Sequence, residues 1–425
     1  MLNSGALAGS RRLALRAGLT SFPDAIFDLA DSLEILDLSG NALSTLPDQL
    51  PRLTRLRVLF CSDNAFTTLP DVLGRCPHLT MIGFKANRID TVPAAALPPG
   101  LHWLILTDNQ ITSLPAALGD CAALQKLMLA GNRLTALPDS LARCTQLELV
   151  RLSANALTAL PDWLLTMPRL AWLACGGNPF NAEREQRTLA DPATGSTAWS
   201  ALSTHERLGE GASGVIYRAT HGARPAAVKL FKGAVTSDGW PHSEMAACIA
   251  AGAQPNLIPI LSQVHDHPDG RTGLLMPLID PAYRNLAGPP SMDSCTRDVY
   301  ADGLTLTLDA VRGIAGGIAA AARHLHRHGI LHGDLYGHNI LHDGAGHALL
   351  GDFGAASLLP AGAPYAAALE RIEVRAFGVL LEELLERCDE ASPATTRLRV
   401  LAHACLTVVP AQRPNFDHIV ASLAN

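Results

Sequence analysis

Leu124-Gln125-Lys126-Leu127-Met128-Leu129-Ala130-Gly131-Asn132-Arg133-Leu134-Thr135-Ala136-Leu137-Pro138 decides the fold of the first half of this chain. Leu124, Leu127 and Leu129 lead up to Asn132, and Leu137-Pro138 begins five residues later. One unit earlier, Leu101, Leu104 and Leu106 lead up to Asn109. The asparagine recurs at Asn41, Asn64, Asn87, Asn109, Asn132, Asn155 and Asn178, in steps of 23, 23, 22, 23, 23 and 23. Leu46-Pro47, Leu69-Pro70, Val92-Pro93, Leu114-Pro115 and Leu160-Pro161 repeat the second signal. Gly18, 23 residues before Asn41 and beside Leu13 and Leu15, marks a degenerate first unit.

The frame is similar to the L-x-x-L-x-L-x-x-N leucine-rich repeat. Each unit holds one short strand whose leucines point inward. Neither that strand nor its return stretch buries its apolar side alone, so stacked neighbours make a continuous core. The Asn side chain satisfies backbone groups where the chain turns off the strand. A right-handed β/α solenoid of about eight units is expected over residues 1–180, an α/β architecture, with a cap and linker over 181–202. Cys61 and Cys175 take the last strand Leu position, and Cys76, Cys121 and Cys144 lie three before the first Leu. Core packing is the reading for all five. Alternation sets Val58, Phe60, Trp103, Ile105, Lys126, Met128, Leu149, Arg151 and Trp172 on the concave face. That face is apolar enough to suggest a protein partner or substrate, or docking onto the second half.

Composition narrows the rest. The chain has 425 residues, 48% of them hydrophobic, and a formal net charge of −6. No run of Lys and Arg marks a nucleic-acid or anionic-membrane surface. The start carries Arg11, Arg12 and Arg16 and lacks an unbroken apolar stretch, so no signal peptide is read. No window is apolar and long enough to span a bilayer. The nine Cys form no CxxC pair, which points to reduced thiols and a cytoplasmic location. Oligomeric state is not legible.

From Leu208 the text changes. Gly209, Gly211 and Gly214 form G-x-G-x-x-G with Ile216 behind them. The following stretch alternates like strands and ends in Ala227-Val228-Lys229. Glycines let backbone N–H groups approach phosphate oxygens without a Cβ in the way. Glu244 opens a helix-like run, and Lys232 is a rival to Lys229. Pro255-Asn256-Leu257-Ile258 and Leu274-Leu275-Met276-Pro277-Leu278 read as strands. Then come His332-Gly333-Asp334-Leu335, Asn339 and Asp352-Phe353-Gly354. His324, His326 and His328 alternate on a helix and do not share a face, so no metal site is read there.

This order of motifs resembles a protein kinase, over residues 203–425, with an N-lobe over about 203–278 and a C-lobe over about 279–425. The resemblance implies an α+β two-lobed fold that uses ATP and Mg²⁺. It makes Asp334 the residue that accepts the acceptor hydroxyl's proton and Asn339 and Asp352 the Mg²⁺ ligands. Lys229 is placed on the α/β-phosphates with Glu244 as its partner. Gly209, Gly211, Gly214, Ile216, Ala227, Met276 and Leu278 are placed around the nucleotide, Met276 as gatekeeper. Glu373-Val374-Arg375-Ala376-Phe377-Gly378 resembles the central C-lobe helix, and Pro410-Ala411-Gln412-Arg413-Pro414 a C-terminal kinase signature. The implied enzyme is a Ser/Thr protein kinase.

Three departures stand out. Gly333 replaces the Arg that usually pairs with a phosphorylated activation loop. Tyr336 stands where Ser/Thr kinases commonly carry Lys. Only 21 positions separate Asp352 from Glu373, and Ser357 and Tyr365 are the hydroxyls between them. H-G-D-L-x-x-x-N also resembles the catalytic loop of aminoglycoside and choline-type phosphotransferases. A small-molecule kinase and an ATP-binding pseudokinase scaffold are therefore the alternatives.

Overall fold

A computed structural model describes residues 9–233 and 235–424. The first eight residues of the expected solenoid, Ala234 and Asn425 lie outside the described residues. Contacts divide the chain into two units, Met1–Arg169 and Leu170–Asn425.

Among the described residues the first unit holds seven strands of three residues each: β1 Arg12–Ala14, β2 Ile35–Asp37, β3 Val58–Phe60, β4 Met81–Gly83, β5 Trp103–Ile105, β6 Lys126–Met128 and β7 Leu149–Arg151. All are parallel, and one register runs through them: Leu13, Leu36, Leu59, Ile82, Leu104, Leu127 and Val150 lie side by side. Leu36, Leu59, Ile82 and Leu104 are fully buried. Burying each such side chain contributes about 2 kcal/mol, and the stack makes those contributions continuous.

The asparagines hold the turns. Asn132 Nδ2 donates to Leu106 O at 2.9 Å and to Leu129 O at 3.0 Å, while its Oδ1 accepts from Ile111 N at 3.0 Å. Asn109 and Asn155 do the same one unit away on either side. Each asparagine thus closes its own turn and ties it to the preceding unit. The return stretches are 3₁₀ turns of three to six residues rather than α-helices. The proline of Leu-Pro caps most of them in extended backbone, as Pro70, Pro115 and Pro138 do. A unit of 23 residues leaves too little chain for longer helices. At Gly119 an added Cβ would lie 2.2 Å from Ser140 O, so adjacent turns meet backbone to backbone.

The second unit opens with the last repeat strand, β8 Trp172–Ala174, and helix α1 Pro179–Leu189. Asn178 caps that helix through a reciprocal box with Asn181. A six-stranded sheet follows, in the order β10-β11-β12-β14-β13-β9. Its members are β9 Ser196–Ala198, β10 Leu202–Glu210, β11 Gly214–His221, β12 Arg224–Phe231, β13 Ser262–His265 and β14 Gly273–Pro277. Helix α2, Pro241–Ala251, lies between β12 and β13 in sequence. Ala219, Ala226, Val228, Leu230, Val264 and Leu275 form the core of one sheet face. Pro255–Ile258, expected as a strand, is not one: Leu257 makes only an isolated bridge to Leu350. Strand pairing is supplied instead by Ser262–His265.

The remainder is mainly helical: α3 Leu308–Arg327, α4 Ala366–Leu385, α5 Pro393–Cys405 and α6 Phe416–Leu423. Small strands thread among them: β15 Arg284–Asn285, β16 Ile330–Leu331, β17 Ile340–His342, β18 Ala348–Leu350 and β19 Ser357–Leu358. Thr307 caps α3 by accepting from Ala310 N, and Ala310, Ile314, Ile318 and Leu325 form its buried stripe. No helix among the described residues is long and apolar enough to cross a membrane. None of the nine cysteines is in a disulfide. Burial pushes the Cys76 and Cys144 thiols up to about 11 and Cys175 to about 12, as inert core thiols require.

Candidate active site

Strand alternation sets the first half of the site. Val228 and Leu230 face the sheet core, so Lys229 between them faces the opposite side. Its ammonium meets the Glu244 carboxylate from the first turn of α2. The Glu244 side chain is buried and that of Lys229 is 14% exposed. Burial pulls Lys229 down, but the carboxylates of Glu244 and Asp352 outweigh it and hold it above its ordinary value. Burial pushes Glu244 up, against the pull of Lys229. The rival Lys232 is engaged elsewhere, donating to Glu210 at 2.7 Å and to Gly211 O at 3.0 Å.

The glycine turn joins β10 to β11. Gly211 N–H donates to Gly214 O at 2.9 Å. A Cβ at Gly214 would lie 2.6 Å from Leu230 O, so this glycine permits close approach to β12. A Cβ at Gly209 or Gly211 would meet nothing within 4 Å, so those glycines keep open space above the turn.

The second half of the site lies between β16 and β19. His332 is fully buried; its Nε2 is 3.0 Å from Gly351 O and its ring meets the Phe353 ring edge-on at 5.1 Å. Asn339 Nδ2 donates to Asp334 Oδ2 at 2.8 Å and to Asp334 O at 2.9 Å. Gly351 N–H donates to Asn339 O at 2.9 Å, which joins this loop to the strand end before Asp352. Asp352 has φ 49°, a conformation that Asp tolerates better than most residues, and its Oδ1 accepts from Gly354 N at 3.1 Å.

A cavity of about 200 Å³ lies between the first half and the Gly351–Gly354 turn, and Asp334 and Asn339 do not line it. Gly211, Gly214, Ile216, Lys229, Glu244, Met276 and Asp352 all line it. Among the expected nucleotide residues, Gly209, Ala227 and Leu278 do not belong to its lining. Ala227 pairs with Met276 across β12 and β14 and is buried in the sheet. The sequence reading missed Thr236, Asp238, Cys248, Ile258 and Ile260, which line the same cavity. Cys248 was findable, since it follows Glu244 by one helical turn. Thr236 and Asp238 sit in a connection without pattern.

A support for the catalytic loop was also missed. Asp298 accepts from His338 Nδ1 at 2.7 Å and from His338 N at 3.1 Å. Tyr300 O–H donates to Glu383 at 3.0 Å, with the Arg387 guanidinium 3.5 Å over its ring. Nothing periodic marks residues 279–307. Trp172, expected on the concave face, is nearly fully buried against Tyr336 instead. The strand alternation was right, but the surface facing that side chain is folded protein. Ser357 is fully buried and accepts from Cys175 N at 3.0 Å.

The family model described as the protein kinase domain matches residues 202–373. Leucine rich repeat models match residues 99–157 and 32–53.

Proposed function

Since this chain joins leucine-rich repeats to a protein kinase domain, we propose that it transfers the γ-phosphoryl group of ATP to a Ser or Thr hydroxyl on a protein. The observation that carries this reading is the Lys229–Glu244 pair, lining one cavity with Asp352. Lys229 neutralises α/β-phosphate charge, and the open space over Gly209 and Gly211 admits the phosphates. The acceptor oxygen attacks the γ-phosphorus in line. The bond to the β,γ-bridging oxygen breaks and ADP leaves. The hydroxyl proton passes to the Asp334 carboxylate.

The donor set fits Mg²⁺. Asn339 commits its Nδ2 to Asp334, so its amide oxygen and the Asp352 carboxylate would be the protein oxygens that hold the ion. Among the described residues no cluster of three His, Cys, Asp or Glu could hold a metal. Mg²⁺ bound by one or two protein oxygens and the substrate phosphates needs no such cluster, and it offsets charge on those phosphates. In this reading the protein acts in the cytoplasm and the repeats bind a protein partner or substrate; of the residues expected on the concave face, Val58, Trp103, Lys126, Leu149 and Arg151 are buried and only Phe60, Ile105 and Met128 are partly exposed.

One feature favours a small-molecule acceptor instead. Residues 359–365 are all that separate β19 from α4, so little chain is left to form a peptide platform. The test offers γ-labelled ATP and Mg²⁺ to the protein alone, to generic protein acceptors and to aminoglycosides, with Asp334→Asn as control. Label on protein that is lost in the variant supports the reading. Label on the small molecule replaces it, and nucleotide binding without any transfer supports a scaffold.

A further inference from the structure

The end of the repeats is built into the catalytic loop. The Trp172 indole lies flat on the Tyr336 ring, centroids 4.2 Å apart and planes 5° from parallel. Its Nε1–H donates to Leu335 O at 3.1 Å. Leu335 and Tyr336 directly follow Asp334. One position along β8, Leu173 O stands 2.5 Å from where a Cβ on Gly333 would be, with Ala355 O at 2.7 Å. Gly333 also has φ +74°. The position before Asp334 therefore has room for hydrogen alone, because the backbone of β8 fills the space a side chain would need.

The following residues reach the other parts of the site. Cys175 N–H donates to Ser357 Oγ, just beyond the Asp352–Gly354 turn. Arg184 on α1 donates to Gly329 O at 3.0 Å and to the carbonyls of His328 and Leu359, tying the end of α3 to the chain leaving β19. Glu185 accepts from Gly177 N at 2.9 Å and from the Ser243 hydroxyl at 3.0 Å. Ser243 immediately precedes Glu244.

We infer that residues 170–189 are a positioning element of the phosphoryl-transfer site, holding Asp334, the Asp352 turn and Glu244 in register by fixed packing. This rests on the phosphoryl-transfer reading above. Gly333 supplies no cation for a phosphate, and the Ser357 hydroxyl is buried and already engaged by this element. These contacts fall beside Asp334 and Glu244 and just beyond the Asp352 turn. The element acts through Gly333, Leu335, Tyr336, Ser357 and Ser243.

The test uses the full chain and the variants Trp172→Ala, Trp172→Phe, Arg184→Gln and Arg184→Lys. Arg184 is only half-buried, so its variants serve if Trp172→Ala does not fold. Three quantities are read: kcat for phosphoryl transfer, nucleotide affinity, and amide exchange over residues 329–341 and 352–359. Trp172→Ala and Arg184→Gln are expected to lower kcat roughly tenfold or more, the scale of a misplaced catalytic group. Nucleotide affinity stays within about threefold, exchange rises in both segments, and Trp172→Phe and Arg184→Lys recover most of the rate. Unchanged kcat and exchange in a folded variant overturn the inference. So does a loss of nucleotide binding equal to the loss of rate, which marks general unfolding. A wild-type rate no higher than that of Asp334→Asn overturns the phosphoryl-transfer reading instead, and the exchange data then decide the positioning role alone.

Discussion

Glu373 and Gly333 are joined by a buried hydrogen bond: the Gly333 N–H donates to Glu373 Oε1 at 2.7 Å. The other carboxylate oxygen lies 2.7 Å from His326 Nε2. One acid on α4 thus fixes the backbone before Asp334 and the end of α3 together. Burial alone would raise Glu373, but the hydrogen bond and charge of His326 outweigh it and hold the carboxyl below its ordinary range.

Glu373→Ala leaves a buried N–H and a buried imidazole without their acceptor. The expected cost is about 2–4 kcal/mol. Since the folded carboxyl is depressed, its contribution is present above the unfolded pKa and lost as pH falls through the folded one. Thermal unfolding of the wild type and Glu373→Ala, followed from neutral pH into acid, should converge as the pH drops.

Lys229→Met strands Glu244 in a buried site, which costs about 3–5 kcal/mol, whereas removing both charges together costs less. Lys229→Met combined with Glu244→Leu should therefore unfold at a higher temperature than Lys229→Met alone. Both proteins should lose nucleotide affinity. A double variant less stable than the single one would contradict the pairing.

Glu383 behaves oppositely to Glu373. Burial first, and then the Asp298 charge, push it up to about 7 against the hydrogen bond from Tyr300 and the charges of Arg297 and Arg387. His338 is also raised: burial lowers it, but its hydrogen bond to Asp298 and that carboxylate's charge prevail. For both groups the folded value exceeds the unfolded one. Their stability is complete below the unfolded pKa and lost as pH rises through the folded pKa. A rise from 4.5 to about 7 for Glu383 corresponds to roughly 3 kcal/mol between its protonation states. Melting temperature should decline between about pH 5 and 8, and Glu383→Gln should flatten that decline.

Asn132→Ala removes three buried hydrogen bonds and leaves Ile111 N without its acceptor, while Leu106 O and Leu129 O keep one bond each from Asn109 and Asn155. We expect a loss of about 3 kcal/mol in the first unit by urea denaturation. Asn41 sits at a partly exposed turn and bonds the Leu15 and Leu38 carbonyls. Water replaces part of what is lost there, so Asn41→Ala should cost only about 1 kcal/mol.

The repeat was legible in the sequence because its physics is local and periodic. A leucine that must face inward every unit, and an asparagine that must close every turn, leave a written period. The motifs that carry Lys229, Glu244, Asp334 and Asn339 were legible for a related reason. Each residue sits in a short motif whose backbone places it: strand alternation for Lys229, the first helical turn for Glu244, a five-residue loop for Asp334 and Asn339. Tertiary structure alone decided which residues surround those motifs. Trp172 reads as a solvent-facing strand residue, yet it stacks on Tyr336. Gly333 reads as a lost arginine, yet it is the residue that lets Leu173 O approach. Asp298, Tyr300 and Glu383 carry no pattern, because their partners lie about 40 or more residues away in the chain. A period or a motif records what a segment demands of its own backbone, whereas contacts between distant segments exist only once both have folded.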